Sequence, residues 1–149
     1  RSGRTGRAGS MRLQQGNETM LATFPMTTLA LAAALLVYFW ITLNVGRARV
    51  AYGVAAPAAS GHPEFDKRYR VQMNTVEQLV WFVPALIIGA PVLGDMIAAG
   101  LAATWALGRV IFAVTYYNDP AKRSLGFALT LLPTFVLLIA GIWGGISAL

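Results

Sequence analysis

"TVEQLVWFVPALIIGAPVLGDMIAAGLAATWALGRVIFAV", residues 75–114, holds two apolar runs separated only by a glycine and an aspartate. Each run, residues 75–93 and 96–114, is close to the ~20 residues that an α-helix needs to cross the ~30 Å hydrocarbon core of a bilayer. A connection this short forces the two helices to be antiparallel neighbours. The stretch therefore predicts a helical hairpin that spans a membrane.

Two further apolar runs lie outside this hairpin, at residues 20–43 and 124–149, and neither contains a charged residue. Over its 149 residues the chain is 56% hydrophobic and 12% charged. A soluble domain carries about twice that fraction of charged residues. We predict that residues 20–149 form one all-α domain, an up-down four-helix bundle in the membrane that assembles as an oligomer.

The basic residues lie mainly in the connections between the predicted membrane spans. They cluster between spans one and two and between spans three and four, so the positive-inside rule predicts that these loops are cytoplasmic and both termini lie on the other side. This placement accounts for the net charge of +6 without a nucleic-acid partner. Residues 1–19, rich in glycine, serine and arginine and containing Met11, are interpreted as a disordered or non-native extension.

The residue types exclude several kinds of chemistry. The chain has no cysteine, which excludes disulfides, thiolate metal ligands and a protein thiol nucleophile. Its single histidine, His62, excludes a multi-histidine metal cluster, and we predict no metal. Any thiol chemistry therefore requires a sulfur that arrives on a substrate.

Proline, glycine and acidic residues mark the helix ends. Helix 1 is predicted over residues 22–52, helix 2 from Pro63 to the segment 91–94, and helix 3 up to residues 116–117. Asp95 is predicted to cap helix 3. Asp119 is predicted as the N-cap of helix 4, with Pro120 at its first position.

Polar residues enter helix 2 at a depth where lipid cannot satisfy them. Arg70, Asn74 and Glu77 fall within about 60° of one another on a helix, whereas Gln72 points to nearly the opposite side. Unpaired polar groups in hydrocarbon cost several kcal/mol each. We therefore expect helix 2 to lie at the centre of an oligomer, with one face in its own subunit's site and the other in a site shared with a neighbour.

Helix 3 carries a matching stripe on one face, formed by Trp105, Arg109, Phe112 and Tyr116. Arg109 lies in the middle of an apolar run, where charge is expensive and usually functional. Its simplest partner is Glu77, and this pair is equally open to a purely structural role between two helices. Arg123, expected in the first turn of helix 4, opposes the helix dipole and makes sense only beside an anion.

The stretches "RARVAY…GHPEFDKRYRVQMNTVE" and "GRVIFAVTYYNDPAKRSLGF" resemble the family of membrane-associated proteins in eicosanoid and glutathione metabolism (MAPEG), which includes microsomal glutathione transferases and leukotriene synthases. The similarity covers residues 47–127 with the helices in the same order. It implies a homotrimer that holds glutathione between adjacent subunits at the cytosolic side.

The resemblance also implies roles for individual residues. Glutathione would be bound from one subunit by Arg70, Asn74, Glu77 and Tyr116, and from its neighbour by Arg49 and Gln72. Arg123 would stabilise the thiolate, and Arg109 would be a buried structural partner near Glu77. The sequence departs from the family pattern at Gln78, Phe112 and Val50, where tyrosines or a second arginine are expected, and at Val80, where the expected proline is delayed to Pro84. Gln78 and Phe112 are expected in supporting positions around the site.

The resemblance implies an integral membrane glutathione transferase that uses glutathione as co-substrate against lipophilic electrophiles from the bilayer. Glutathione peroxidase is a further activity open to the same thiolate. One alternative is a non-enzymatic member of the same fold, a lipid-binding or scaffold protein. A second alternative, a small exporter driven by a membrane carboxylate, fits poorly because Glu77 is surrounded by arginines that should keep it ionised.

Overall fold

The computed structural model describes residues 20–149, so the predicted extension at residues 1–19 lies outside the described part of the chain. Four long helices follow one another along the chain: α1 (Pro25–Ala51), α2 (Pro63–Leu93), α3 (Asp95–Asn118) and α4 (Ser124–Ser147). A helical turn, Met20–Thr23, precedes α1, and a 3₁₀ turn, Pro120–Arg123, precedes α4. All four helices are long and apolar enough to cross a membrane. The predicted all-α four-helix architecture is confirmed.

Helix α3 forms the centre of the packing. Of the most apolar 18-residue stretch of α3, 50% is buried, compared with 17% of the corresponding stretch of α1. Helix α3 packs against α1, α2 and α4. Alanines such as Ala98 and Ala102 let the neighbouring helices approach it closely. Trp105 fills the remaining space and stacks on Phe82 of α2, with the ring centroids 4.4 Å apart. The core is therefore a layer of small residues around a few large aromatic side chains.

Glycines set the close approach of α4 to its two neighbours. A Cβ atom added at Gly89 of α2 would lie 2.5 Å from the carbonyl oxygen of Leu137 in α4. One added at Gly126 of α4 would overlap the backbone of Phe112 in α3. In a membrane, such small residues allow the van der Waals contact that holds helices together.

The beginning of α1 corrects one of the predictions. Asp95 does not cap its own helix, in which it is the first residue; its carboxylate instead accepts hydrogen bonds from the backbone N–H groups of Met26 at 3.0 Å and Thr27 at 2.7 Å. These are among the first N–H groups of α1, which have no partner inside the helix. Phe24 at the N-cap position makes no side-chain cap, so an acid from the α2–α3 turn supplies it.

Helix α2 is longer than a bilayer requires. Its 31 residues extend over roughly 46 Å at 1.5 Å per residue, against a hydrocarbon core of ~30 Å. The polar residues lie in its first half. About 16 Å of the helix, roughly the eleven residues from Pro63 to Met73, can therefore lie at the level of the lipid headgroups and the water beyond them, where a charged side chain such as Arg70 is tolerated, whereas Glu77 lies deeper.

The connection from α3 to α4 differs from the prediction by one short element. Asp119 accepts a hydrogen bond from the N–H group of Ala121 at 3.0 Å, as expected of a cap. Pro120, however, begins the 3₁₀ turn rather than α4, because Lys122 N–H bonds to the Asp119 carbonyl at 3.0 Å. Arg123 consequently lies at the N-cap position of α4 and not inside its first turn.

Candidate functional site

A cavity of about 650 Å³ lies where the polar half of α2 meets the end of α3 and the start of α4. Its lining residues are Arg70, Asn74, Phe112, Tyr116, Arg123, Ser124 and Phe127. Four of the predicted glutathione-site residues, one of them from the turn before α4, are therefore brought together at one cavity. They are Arg70, Asn74, Tyr116 and Arg123.

The charge of the cavity wall is positive. Arg70 and Arg123 both line the cavity, and no carboxylate does. Within residues 20–149, neither guanidinium takes part in an ion pair or in any other hydrogen-bonded or electrostatic contact. Arginine binds carboxylates through paired hydrogen bonds. Two unpaired guanidinium groups therefore give this concave surface the charge that suits an anion.

One side of the cavity is aromatic. Phe112, expected only in a supporting position, lines the cavity directly, as does Phe127 from α4. Phe127 and Ser124 also line the cavity, although neither was predicted from the sequence. The spacing could have predicted Phe127. It follows Arg123 by four residues, and residues at this spacing lie on the same face of a helix. The cavity thus presents guanidinium and phenol groups next to an apolar wall.

Arg109 lies behind this wall rather than in the cavity, and it is fully buried. Its guanidinium donates to Asn74 Oδ1 at 2.9 Å through Nη1 and to Thr130 Oγ1 at 3.4 Å through Nη2. The guanidinium carbon also lies 4.2 Å from the ring centroid of Phe112. The expected direct ion pair between Arg109 and Glu77 is wrong for the described chain, since an asparagine amide takes that place.

Glu77 remains close to the site through this amide. Its side chain is exposed and does not line the cavity, but Asn74 Nδ2 donates to Glu77 Oε2 at 3.4 Å. Three residues therefore form a chain of hydrogen bonds, from Arg109 through Asn74 to Glu77. The Glu77 carboxylate keeps its hydration at the surface, and the amide of Asn74 is the polar group that reaches the buried guanidinium.

Three other predicted residues lie away from the cavity. Gln72 lies on the side of α2 away from the cavity and faces α1 of the same chain, where its Nε2 atom donates to Thr42 Oγ1 at 3.2 Å. Arg49 holds the α1–α2 loop, with Nη1 donating to the carbonyl oxygens of Val54 at 3.2 Å and Ala58 at 3.0 Å. Gln78 is buried, and its Oε1 atom has no hydrogen-bond partner within the described residues.

Beyond Arg70, the outward face of α2 is apolar except for one carboxylate. Five exposed residues recur at intervals of three and four along it: Met73, Glu77, Val80, Pro84 and Ile87. Residues at this spacing share one face of a helix. An ionised carboxylate on an otherwise apolar face is expensive to expose to lipid.

Comparison with known proteins agrees with this architecture. Residues 27–143 match the MAPEG family. The chain is 33% identical to microsomal glutathione S-transferase 2 of Homo sapiens over 129 residues, which cover 87% of this chain and 84% of that protein. It is 43% identical over 111 residues to an uncharacterized protein of Synechocystis sp., covering 74% and 81% of the two chains. With four helices able to span a bilayer and a family match over most of its length, this chain is a multi-pass integral membrane protein that belongs to the MAPEG family.

Proposed function

We propose that the protein is a membrane-embedded glutathione transferase. The observation that carries this proposal is the cavity, in which Arg70 and Arg123 have no anionic partner within the described chain and lie beside the aromatic wall. Glutathione is a tripeptide with two carboxylates, one ammonium group and one thiol. An anionic peptide suits the arginine side of the cavity, and a lipophilic electrophile suits the aromatic side. The relatives named microsomal glutathione S-transferase 2, of human and bovine origin, support this choice.

The proposed roles follow from the positions of the side chains. Arg70 binds a carboxylate of glutathione, and Tyr116 hydrogen-bonds the peptide across the cavity. Glu77, held by Asn74, receives the ammonium group. Arg123 stabilises the thiolate at the start of α4, where the helix dipole also favours negative charge.

The reaction is a nucleophilic attack by sulfur. The thiol proton passes to water, and the thiolate forms a bond to the electrophilic carbon. With a halonitrobenzene as acceptor, the carbon–halogen bond then breaks and halide leaves. The protein contributes orientation and stabilisation of the anion, which are the two terms that most accelerate such a step.

Titration of the purified protein with glutathione, followed by turnover with a halonitrobenzene, tests the proposed function. We expect saturable glutathione binding and release of halide that depends on enzyme concentration. Binding without turnover on this or other lipophilic electrophiles would favour the non-enzymatic lipid-binding or scaffold alternative. The absence of any glutathione binding in detergent and in lipid nanodiscs would contradict the proposal altogether.

We also propose that the site is completed by a neighbouring subunit in a homotrimer. The outward face of α2, with Glu77 among apolar residues, requires a cover that a second copy provides. Arg49 supports this arrangement. Within residues 20–149, all of the hydrogen bonds that its guanidinium donates to the loop come from Nη1. Its remaining N–H groups are available for a ligand of the adjacent subunit, together with Gln72.

Mixed oligomers test the shared site. Subunits carrying Arg49→Ala and subunits carrying Arg70→Ala are each expected to be inactive alone. If they are co-expressed in equal amounts, about a quarter of the sites combine an intact Arg49 with an intact Arg70 from the neighbouring subunit, and activity returns to that extent. Native mass spectrometry in detergent should show three copies. Activity that stays at the level of the separate variants, or a monomeric mass, would contradict this part of the proposal.

We propose further that the cavity opens to the cytoplasm. Arg70 and Arg123 lie near the two basic connections, α1–α2 and α3–α4, which the positive-inside rule assigns to that side. Because the chain has no cysteine, Ser60→Cys in the exposed α1–α2 loop gives a single label site. An impermeant thiol reagent is expected to leave it unlabelled in intact cells and to label it after lysis. Ready labelling of intact cells would reverse the orientation.

A further inference from the structure

Arg109 is a buried cation to which the reaction above gives no direct part. It is fully buried, and none of the carboxylates in residues 20–149 pairs with it. A buried charge without a compensating anion is destabilising, whereas an apolar side chain at the same position would fill the space without that penalty. An arginine at this place is therefore an inefficient way to hold two helices together.

The hydrogen bonds of Arg109 suggest what it does instead. A guanidinium can only donate, so its contact of 2.9 Å with Asn74 must use the amide oxygen of that residue. This contact leaves the other end of the amide, the NH₂ group, directed away from Arg109. That group donates to Glu77 Oε2 at 3.4 Å. The buried cation therefore determines which end of the Asn74 amide faces the surface of α2.

Without Arg109, only the longer contact of 3.4 Å with Glu77 would hold the Asn74 amide in this orientation. Rotation by half a turn would bring its carbonyl oxygen towards Glu77, where two acceptors repel each other. The Glu77 carboxylate would then lose its only described hydrogen-bond donor and could move away from the cavity. The orientation of one amide thus links a residue that no ligand touches to a carboxylate beside the cavity.

We infer that Arg109 is a positioning residue that fixes Glu77, through Asn74, as the acceptor for the ammonium group of the bound peptide. This inference rests on the proposed function and adds to it the buried residue that keeps the ammonium acceptor in place. It assigns to Arg109 an effect on ligand selection, which a residue that only holds helices together would not have.

The test compares glutathione with N-acetylglutathione, which carries the same thiol and carboxylates but no ammonium group. In the unsubstituted protein, glutathione is expected to bind more tightly. In Arg109→Met, the preference is expected to fall about tenfold, as for the loss of a hydrogen bond to a charged group, while binding of N-acetylglutathione changes little. In Arg109→Lys, which keeps a buried cation, the preference should fall by a smaller factor.

Thr130→Val provides the matched control. It removes the other hydrogen-bond partner of Arg109 in the same buried layer but leaves Asn74 untouched, so the preference should stay as in the unsubstituted protein. Equal weakening of both ligands in Arg109→Met would show a merely structural role and overturn the inference. If Arg109→Met does not fold, an unchanged preference in folded Arg109→Lys has the same consequence.

The outcomes for the unsubstituted protein separate the two proposals. No preference for glutathione over N-acetylglutathione would remove Glu77 from the proposed site, and this inference with it, while glutathione transfer itself could stand. A clear preference that persists in every Arg109 variant would overturn only the inference.

Discussion

Arg123→Ala is expected to keep glutathione affinity within a few fold and to lose most thiolate formation and turnover. A cysteine-type thiol has a pKa near 8.5, which must fall by about two units for the thiolate to predominate at neutral pH. That change corresponds to ~2.7 kcal/mol of preference for the thiolate. A guanidinium at ~4 Å supplies about 4 kcal/mol at an effective dielectric constant of ~20, and less where water enters the cavity. One arginine together with the amino terminus of α4 is therefore sufficient.

The ultraviolet difference band of bound thiolate measures this effect directly. Arg123→Lys should retain part of both the band and the rate because it keeps the charge. Lys122→Ala serves as the control, since Lys122 is the adjacent cation but does not line the cavity and pairs with Asp119 at 3.8 Å. An undiminished band and rate in Arg123→Ala would show that another group stabilises the thiolate.

Gly126→Leu is expected to have the largest effect on stability. Even a Cβ atom at this position overlaps the backbone of Phe112, so a leucine must force α4 away from α3. Overpacking of this kind costs about 1–3 kcal/mol, and more where backbone rather than a side chain has to move. Because Phe112 also lines the cavity, glutathione binding should weaken in the protein that still folds.

Thermal unfolding in detergent measures the loss, and Gly100→Leu is its control. Gly100 lies in α3 with no atom within 4 Å of an added Cβ, so the same substitution there should leave the unfolding temperature nearly unchanged. Equal unfolding temperatures for the two variants would mean that the close contact of α3 and α4 contributes nothing to stability.

The sequence predicts the four spans and the aromatic stripe of α3 because both depend on local periodicity. Residues 75–93 and 96–114 are long enough and apolar enough to be membrane-spanning helices. The two-residue connection between them requires the two helices to pack side by side. The spacing of Trp105, Arg109 and Phe112 places them on one face in any helix, and the structure shows them in contact. For the same reason, Arg70 and Asn74 could be assigned to one surface before any tertiary structure was known.

The partners of individual polar groups depend on tertiary distances, and there the sequence misled in two cases. Glu77 was predicted as the partner of Arg109 because the two carry opposite charges. In the structure, Asn74 of α2 faces α3 and contacts Arg109, and the Glu77 carboxylate is exposed. Asp95 was predicted as the cap of α3 because it lies at the start of that helix. Its carboxylate instead accepts hydrogen bonds from Met26 and Thr27, which are 69 and 68 residues away in the chain. Neither partner can be read from spacing, because each contact crosses between helices.

The cap that Asp95 provides for α1 has a consequence for the order in which the chain enters the membrane. Helix α1 emerges from the ribosome first, while the carboxylate that satisfies its first N–H groups is encoded after α2. Until the α2–α3 turn has reached the side of the membrane on which α1 begins, these N–H groups need water as their hydrogen-bond partner, because bare N–H groups in hydrocarbon cost several kcal/mol each. We therefore expect the start of α1 to reach its final depth only after α2 has been made and Asp95 has bound the N–H groups of Met26 and Thr27.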